Sequence, residues 1–550
     1  MPSPSLKLAL AQVNPTVGDF DGNAALLESR IGRARDEGAH LVVFPEQCLP
    51  GYPAEDLYMK RHFLAANVTA LERIAAGTQG ITALVGFAEP APASGPRKAD
   101  APTPRLARNA LAVLADGEVR TVYRKHRLPN YSVFDEERYF QPGAEPVVID
   151  VEGTRVGLTI CEDVWEPGPP ASLEAEAGAT LIVNPSGSPY HRGKASDRES
   201  MFAERARECG AAFAFCNLVG GQDELVFDGA SFVVDAAGSL LARAKQFEED
   251  LLVVELGGEA PGRVESLLDD VAEVYAALVL GLRDYVEKNG FERVLVAVSG
   301  GIDSALVALL AADALGPERL TCVVMPSPHS SAETQEDARV IAGNLGAELV
   351  EIPIEATMNA YDASLAGHLD GGEADITAQN VQARIRGNLM MALSNARGWL
   401  LLTTGNKSEL SVGFATLYGD MAGGFAAIKD VPKTLVYDLV RHRNSRSPSP
   451  PIPESVLERA PSAELRPGQR DDDSLPPYEV LDRILEAYVE DDLSRDEIAA
   501  AGEEATVVDE VIRMVDRAEY KRRQAPPGIR ITPRAFGRDR RLPITNRFGG

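Results

Sequence analysis

Three residues at the ends of apolar, β-type runs could together hydrolyse an amide: Glu46, Lys125 and Cys161. Glu46 follows HLVVFP, Cys161 follows TRVGLTI, and Lys125 lies in TVYRKHRLPNY directly after another predicted strand. Strand ends and the loops after them are where α/β scaffolds expose reactive groups. Amide hydrolysis through a thioester needs a thiolate, a carboxylate to move its proton, and a cation or amide to stabilise the oxyanion. These residues supply that set without a histidine.

Each of the three residues also has an ordinary structural interpretation. A cysteine after an apolar strand is more often a core residue than a nucleophile. Glu46 could be a turn carboxylate, and Lys125 could be a solvated surface charge. The distinctive flanks of all three favour the catalytic interpretation when the residues are considered together.

A second constellation lies in VLVAVSGGIDSALVALL, which predicts a strand, a Gly-Gly turn and a helix. Two glycines let backbone amides approach an anion closely, and a helix N-terminus adds unpaired N–H groups. Hydroxyl groups can donate hydrogen bonds to that anion, and the aspartate can hold Mg²⁺ against phosphate. The segment follows neither the Walker pattern nor G-x-G-x-x-G. The candidate phosphate-binding residues are Ser299, Gly300, Gly301, Asp303 and Ser304.

A later apolar run, LLTT, predicts a further parallel strand that ends in hydroxyl groups. Thr404 and Glu409 would then lie just beyond its carboxyl end, where open α/β sheets bind ligands. Arg384 and Arg386 could position substrate phosphates, or could cap and pair on a helix. Both interpretations of this pair remain open.

The element pattern divides the chain into two domains, 1–262 and 263–550. The first half alternates β-rich runs with helical patterns such as NAALLESRIGRARDEG. The segment LGGEAPGRV, around residues 256–264, combines Gly and Pro after a last strand and indicates the boundary. Beyond it, two β-α-β units predict a doubly wound parallel sheet. The segments near 368–375 and 443–455 have the composition of flexible loops.

Bulk composition limits the environment and the partners of the protein. Among the 550 residues, 55 Lys+Arg against 82 Asp+Glu give a net charge of −27, which argues against nucleic acid as a partner. The five cysteines form no C-x-x-C pair, which indicates a reducing compartment. No run approaches the ~20 apolar residues of a membrane span, and the N-terminus does not resemble a secretion signal. We therefore expect a cytoplasmic protein without a membrane partner.

The flanks of the first constellation carry a family resemblance. The segments FPEQCLPGYPAEDL, YRKHRLPNYSVFDEERYF, ICEDVW and NPSGSPYHRGK resemble the glutaminase branch of the nitrilase superfamily. This resemblance implies an α-β-β-α sandwich with Glu46 as general base, Cys161 as nucleophile and Lys125 as stabiliser. Members often use a second glutamate, for which Glu136 is the candidate. The positions that match the family's glutamine contacts are Tyr131, Ser188 and Lys194.

A rival thiol design for glutamine hydrolysis is disfavoured. It uses a Cys-His-Glu triad, with glycines flanking the cysteine at a sharp strand-to-helix turn. Thr159-Ile160-Cys161-Glu162 contains no such glycines, and no suitable histidine is found nearby.

The second half resembles the N-type ATP pyrophosphatases, and its later segments resemble the NAD synthetase family. Among the segments that carry the resemblance are TAQNVQARIRGNLMMALSN, LLTTGNKSELSVGFATLYGD and YKRRQAPPGIRI. Enzymes with this loop cleave ATP to AMP and pyrophosphate. The resemblance implies ATP contacts at the SGGIDS loop, Thr404, Lys433 and Ser462. It also implies deamido-NAD contacts at Asn380, Glu409 and Lys521, and Mg²⁺ at Asp303 and Glu409.

Together the two resemblances imply a ligase that amidates deamido-NAD with ammonia from glutamine, with ATP as co-substrate. Free ammonia is mostly protonated near neutral pH, so we expect an internal route between the sites. We also expect a homo-oligomer. Three alternatives stay open: the same chemistry on another acceptor, a nitrilase-type amidohydrolase with a regulatory nucleotide domain, and a non-catalytic nucleotide-binding scaffold.

Overall fold

The computed structural model describes residues 6–92, 105–258, 262–368, 376–466 and 468–546. Two compact units make up the chain: Met1–Gln222 with Val226–Leu268, and Asp223–Leu225 with Asp269–Gly550. None of the helices in the described part of the chain combines the length and apolar character of a membrane span. The predicted loop near 368–375 lies outside the described residues, apart from His368.

Two six-stranded mixed sheets form the first unit. The first has the order β14-β1-β2-β3-β4-β5 and the second the order β13-β12-β9-β8-β7-β6, while β10 and β11 form a separate ribbon. The strands are β1 Leu6–Gln12, β2 Leu41–Val43, β3 Thr82–Pro90, β4 Ala107–Ala115, β5 Glu118–Arg124, β6 Val148–Val151, β7 Thr154–Leu158, β8 Leu181–Ser186, β9 Ala212–Asn217, β10 Val219–Gln222, β11 Leu225–Asp228, β12 Phe232–Val234, β13 Leu240–Arg243 and β14 Asp250–Leu256.

The two sheets pack face to face and helices cover their outer faces. Leu8 and Leu41 of the first sheet share one buried cluster with Leu158 and Val183 of the second. A separate cluster joins Phe202, on a helix, to the other face of the second sheet. This is the predicted α-β-β-α sandwich, and that prediction is confirmed. The helices are α1 Phe20–Asp36, α2 Arg61–Ala75, α3 Glu136–Tyr139, α4 Ala171–Glu176 and α5 Lys194–Cys209.

The second unit is built on four parallel strands in the order β17-β16-β15-β18. β15, β16 and β18 are short and apolar, as expected for strands buried on both faces by helices, whereas the edge strand β17 has the sequence ELVE and is mostly exposed. The strands are β15 Val294–Ala297, β16 Leu320–Val324, β17 Glu348–Glu351 and β18 Leu400–Leu402. The helices are α6 Asp270–Lys288, α7 Ile302–Leu315, α8 Ala332–Leu345, α9 Glu355–Leu365, α10 Ile376–Arg397, α11 Lys407–Val412, α12 Lys433–Ser445, α13 Glu454–Glu458, α14 Tyr478–Leu485, α15 Arg495–Ala500, α16 Ala505–Arg517 and α17 Glu519–Arg522.

Helices of the second unit wind between successive parallel strands, as the β-α-β pattern predicts. α7 connects β15 to β16 and α8 connects β16 to β17. Leu295 and Leu401 of the sheet share a buried cluster with Ile385 and Met390 of α10. A second apolar cluster joins α14, α15 and α16 near the C-terminus. The parallel α/β architecture is therefore confirmed for this half.

The change from one unit to the next falls between Leu268 and Asp269. The segment after residue 262 stays with the first unit because it pairs with the edge strand β13. Arg243 N donates to Arg263 O at 2.8 Å, and Glu265 N donates to Arg243 O at 3.1 Å. The 443–455 segment, with a loop-like composition, is anchored at Ile452, which is buried and forms two hydrogen bonds with the Asn444 amide.

Candidate active sites

Glu46, Lys125 and the second-glutamate candidate Glu136 meet in one buried cluster. Lys125 Nζ lies 2.7 Å from Glu46 Oε1 and 2.9 Å from Glu136 Oε2, and all three side chains are almost completely buried. Asn109 donates to Glu46 at 2.7 Å, and the Tyr52 hydroxyl donates to Glu136 at 3.0 Å. One ammonium group is therefore shared by two carboxylates, each with a further polar partner.

Burial governs the protonation of this cluster. It lowers the pKa of Lys125, but the attraction of Glu136 and Glu46 outweighs it and leaves that pKa well above its usual value. Burial also raises the pKa of Glu136 to about 7, against the opposing pull of Lys125. Since Lys125 is cationic in this setting, it can stabilise an oxyanion that forms beside it.

The Cys161 thiol belongs to the same electrostatic environment. Burial, and next the negative charge of Glu46, raise its pKa well above the usual range, while Lys125 lowers it. Because the effects that raise the pKa outweigh that of Lys125, the resting thiol is protonated and requires a neighbouring base for ionisation. Cys161 also has φ 43°, a left-handed backbone conformation that non-glycine residues rarely adopt. It begins a short 3₁₀ helix, Cys161–Val164, so the strained turn presents the thiol without any flanking glycine.

The three residues that we expect to contact glutamine lie next to this cluster. The Tyr131 hydroxyl donates to both oxygens of Glu162, the residue after the nucleophile, at 2.9 and 3.0 Å. The Ser188 hydroxyl is buried and has no hydrogen-bond partner among the described residues. Lys194 begins α5, and its ammonium lies 5.5 Å from the centroid of the Trp165 ring. An amino-acid zwitterion needs such a cation for its carboxylate.

In the second unit the SGGIDS segment turns from β15 into α7. Gly300 has φ 85°, and a Cβ there would lie 2.1 Å from Thr334 O, so only glycine fits. The Ser299 hydroxyl accepts from Gly301 N at 3.2 Å, and the Ser304 hydroxyl donates to Gly301 O at 3.0 Å. These bonds hold the loop in one conformation at the N-terminus of α7, which suits anion binding.

The loop opens into a cavity of about 300 Å³. Most of the nucleotide-site residues expected from the sequence lie in its lining. Those residues are Ser299, Gly300, Gly301, Asp303, Ser304, Thr404, Glu409, Lys433 and Ser462.

Two carboxylates in this cavity share one lysine. Lys433 Nζ contacts Asp303 Oδ2 at 2.5 Å and Glu409 Oε1 at 3.1 Å. Burial raises the pKa of Glu409 to about 8, with Lys433 opposing and Asp303 adding to the shift. The described residues contain no cluster of three or more His, Cys, Asp or Glu side chains arranged for a metal. The carboxylate pair nevertheless fits Mg²⁺, which commonly takes one or two carboxylates together with phosphates and waters.

Asn380 and Lys521 do not line the cavity. Asn380 accepts a hydrogen bond from the Thr416 hydroxyl at 2.8 Å. Lys521 Nζ donates to Gly413 O at 2.7 Å and to Ala415 O at 2.8 Å. Both side chains thus hold the 413–416 segment, whose Phe414 does reach the cavity.

The two arginines with open roles lie in different environments. Arg386 lines the cavity, and its Nε donates to Met325 O at 3.1 Å. Burial lowers the pKa of Arg386 to about 10, which still leaves it cationic at neutral pH. Arg384 donates to Leu417 O at 3.2 Å from an exposed position. The geometry favours a ligand role for Arg386 and a structural role for Arg384.

Two residues were missed by the sequence analysis: Asn406, which contacts cavity residues, and Arg459, which lines the cavity. Asn406 donates to Asp303 Oδ1 at 2.8 Å and accepts from Glu409 N at 2.9 Å. It therefore caps α11 and orients Asp303, a candidate Mg²⁺ ligand. Its signal was the N-x-x-E spacing typical of a helix N-terminus. Arg459 donates to Gly300 O at 3.2 Å. Its contact joins residues far apart in sequence, and no local pattern indicates it.

Comparisons with known proteins agree with this division into two sites. Residues 7–260 match the carbon-nitrogen hydrolase family, and residues 274–525 match the NAD synthase family. The fold and the sites thus define a carbon-nitrogen hydrolase unit joined to an NAD synthase unit. Two curated relatives, from Thermotoga maritima and Aquifex aeolicus, are each 47% identical and are covered over 99% and 100% of their length by 99% of this chain. The chain belongs to the glutamine-dependent NAD(+) synthetase family.

Solved structures support the same family. A glutamine-dependent NAD⁺ synthetase from Acinetobacter baumannii, in complex with ADP, is 42% identical with a TM-score of 0.76. The match covers 98% of this chain and 99% of that one. A synthetase from Cytophaga hutchinsonii has a TM-score of 0.83, with 98% of both chains covered, and at 24% identity it shows the shared fold alone.

Proposed function

We propose that this chain converts deamido-NAD to NAD⁺ with ATP and ammonia from glutamine, giving AMP, pyrophosphate and glutamate. The observation that carries the proposal is the full-length similarity to glutamine-dependent NAD(+) synthetases. The buried Cys161 cluster and the cavity at the SGGIDS loop support the two half-reactions.

Cys161 is the nucleophile of the first half-reaction in this proposal. Glu46 accepts the thiol proton, and the sulfur attacks the glutamine amide carbonyl while Lys125 stabilises the oxyanion. The proton returns from Glu46 to the leaving ammonia, and a glutamyl thioester remains. Water, deprotonated by Glu46, then releases glutamate. Glu136 keeps Lys125 oriented through their shared contact.

Glutamine is recognised through its zwitterionic end in this proposal. Lys194 faces the carboxylate of glutamine. The buried Ser188 hydroxyl, which has no hydrogen-bond partner among the described residues, donates a hydrogen bond to the substrate. Tyr131 closes the site from a position that is 55% exposed. A half-exposed aromatic side chain can shield the reaction from water once substrate is bound.

The second half-reaction takes place in the cavity at the SGGIDS loop. Backbone amides and hydroxyls of Ser299–Ser304 cradle the pyrophosphate as it leaves, while Thr404, Lys433 and Ser462 hold the nucleotide. Asp303 and Glu409 would hold Mg²⁺, which neutralises phosphate charge when bound. The nicotinate carboxylate attacks the α-phosphorus of ATP, and ammonia then displaces AMP. Glu409 contacts deamido-NAD from the cavity lining, whereas Asn380 and Lys521 act on it indirectly by holding the 413–416 segment in place.

The transfer of ammonia between the sites is also proposed. Ammonia in bulk water is mostly protonated near neutral pH and is then not a nucleophile, so an internal route would preserve its reactivity. A cytoplasmic location and a homo-oligomeric state complete the proposal. A Cys161→Ala variant supplied with glutamine and a separate glutaminase should stay well below the wild-type rate of NAD⁺ formation. A rate equal to wild type would contradict an internal route.

One coupled assay tests the reaction itself. Glutamate, AMP and NAD⁺ are measured together after the chain is mixed with glutamine, ATP, Mg²⁺ and deamido-NAD. Equal yields of the three products support the proposal. Glutamate without AMP would support a plain amidohydrolase instead, and AMP without NAD⁺ would indicate a different acceptor.

A further inference from the structure

Asp163 is a buried carboxylate that accepts hydrogen bonds from two distant segments of the first unit. Its Oδ1 accepts from His126 N at 3.0 Å and Arg127 N at 2.9 Å. Its Oδ2 accepts from Ile160 N at 2.9 Å and the Tyr123 hydroxyl at 2.7 Å. The side chain is completely buried. Three of these donors are backbone amides, which can only donate, so the site calls for acceptor oxygens on both sides of the carboxyl group. Burial raises the pKa of Asp163, and these hydrogen bonds oppose that shift.

These bonds connect the segments that carry the stabiliser and the nucleophile. His126 directly follows Lys125, and Ile160 directly precedes Cys161. The two segments leave strands of different sheets, β5 and β7, so no ladder hydrogen bonds join them. One carboxylate therefore bonds the main chain beside each catalytic side chain.

Helix capping alone explains only part of this arrangement. Asp163 is the third residue of the 3₁₀ helix, and its bond to Ile160 N is the ordinary local cap. The bonds to His126 and Arg127 cross to a segment 37 and 36 residues away. They serve no function within the helix that carries Asp163.

We propose that Asp163 is a positioning residue that sets the separation between the Lys125 ammonium and the Cys161 thiol. This inference rests on the proposed glutamine hydrolysis at Cys161. Displacing a stabilising cation by about 1 Å can lower a rate by as much as 10²-fold. Glutamine recognition depends on other residues, so loss of this link should lower kcat far more than it changes KM.

Asp163→Asn is the direct test, because asparagine keeps the shape but replaces one acceptor oxygen with an NH₂ donor. The new NH₂ group then faces either Ile160 N or the backbone N–H groups of His126 and Arg127. The hydrogen bonds of Asp163 on that side are lost. We expect kcat for glutamine hydrolysis to fall about tenfold or more, with KM for glutamine changed less than about threefold. Thermal unfolding should still show a folded chain, with a midpoint below that of wild type because buried amides lose their acceptor.

Cysteine alkylation provides a readout that general loosening would not produce. Lys125 lowers the pKa of Cys161, so a displaced Lys125 should slow the alkylation of Cys161 by iodoacetamide at a fixed pH, whereas general loosening would expose the thiol and speed it. Peptide mass spectrometry separates Cys161 from the other four cysteines. The matched control is Asp235→Asn, since Asp235 also accepts from two backbone amides, Ala237 N and Ser239 N, but in an exposed turn.

The outcomes separate this inference from the proposed function. A wild-type chain that does not hydrolyse glutamine would overturn the proposed function. A wild-type chain that hydrolyses it, with Asp163→Asn within about twofold in kcat, would overturn the positioning role alone. An unchanged or faster rate of Cys161 alkylation, or an equal loss of kcat in Asp235→Asn, would also overturn it.

Discussion

Buried charges define the first unit at the scale of single residues. Glu46, Glu136 and Lys125 are all desolvated, which is costly unless the charges are paired. The pairs at 2.7 and 2.9 Å compensate that cost, and Asn109 and Tyr52 complete the hydrogen bonds. A buried network of this kind holds its members rigidly, since any displacement would leave a charge without a partner. Rigid placement is what an oxyanion stabiliser requires.

Glu174 provides a prediction at this scale, because no catalytic role accounts for it. Its side chain is completely buried, and burial, with nearby Asp163, raises its pKa to about 9 from the usual 4.5. The folded chain therefore keeps a proton that the unfolded chain releases. The free energy of unfolding should fall as pH rises from about 4.5 to about 9, by at most about 1.4 kcal/mol per pH unit.

The Glu174→Gln variant should lack this component. Urea unfolding of both proteins at pH 5.5 and pH 8.5 measures it, with each expected to behave as one cooperative transition in the first unit. The difference between the two pH values should be smaller for the variant. An identical pH dependence in both proteins would contradict a protonated Glu174.

At the scale of elements, the second unit depends on the tight turn between β15 and α7. The turn places backbone amides at a helix N-terminus, where anions are stabilised. α11 is capped by Asn406, which also contacts Asp303 at 2.8 Å, so two helix N-termini meet at the cavity. Lys407 Nζ, buried under this corner, contacts Asp430 at 3.0 Å, Glu490 at 2.6 Å and the Thr532 hydroxyl at 2.9 Å.

Gly300→Ala should disable the turn. The new Cβ would lie 2.1 Å from Thr334 O, and φ 85° is strained for alanine, so the loop or α8 must shift. We expect AMP formation with ATP, deamido-NAD and ammonium chloride to fall about tenfold or more. Glutamine hydrolysis without ATP should be retained. Gly343→Ala, on α8 with open space around it, is the control and should keep AMP formation; equal rates in the two variants would contradict the steric argument.

At the scale of the whole molecule, two chemistries occupy two separately packed units. Cys161 and the buried Glu46–Lys125–Glu136 cluster lie in the first unit, and the SGGIDS loop with its cavity lies in the second. The net charge of −27 repels anionic substrates at long range. Lys433, Arg386 and Arg459 line the cavity together with five carboxylates, those of Asp303, Glu409, Asp420, Glu464 and Asp471. These cations alone do not reverse the global field, so the backbone amides of the SGGIDS loop, with Mg²⁺ when it is bound, would have to offset it where phosphates are expected to bind.

Separate units predict separable activities. Cys161→Ala should abolish glutamine-driven NAD⁺ formation and keep the ammonia-driven reaction at alkaline pH. Asp303→Asn should have the reverse effect: AMP formation is lost because the contacts with Asn406 and Lys433 are disturbed, while glutamine hydrolysis measured without ATP continues. Product assays on both variants measure this. Loss of both activities in either variant would contradict the separation.

The sequence alone was sufficient for the class of fold and for the residues that carry reactive groups. Apolar runs of strand length and the β-α-β pattern indicated the parallel sheet, because hydrophobic periodicity is a local property of the sequence. The family resemblance implied the sandwich. The distinctive segments around Glu46, Lys125, Cys161 and Ser299–Ser304 named the candidate groups. The α-β-β-α and parallel α/β architectures are confirmed by the structure and its relatives.

Only the tertiary structure decided how these groups are compensated and held. Lys125 bonds Glu46, which lies 79 residues away in sequence. Asp163 accepts from His126 N, 37 residues away beside Lys125, and from Ile160 N, three residues away beside Cys161. The structure also decided that Arg386 lines the cavity and that Lys521 does not. Such contacts depend on strand order, register and side-chain direction, which arise when distant segments pack together. The spacing of residues along the sequence does not predict these contacts. Their energies depend on burial, which the side chains acquire only when the chain folds.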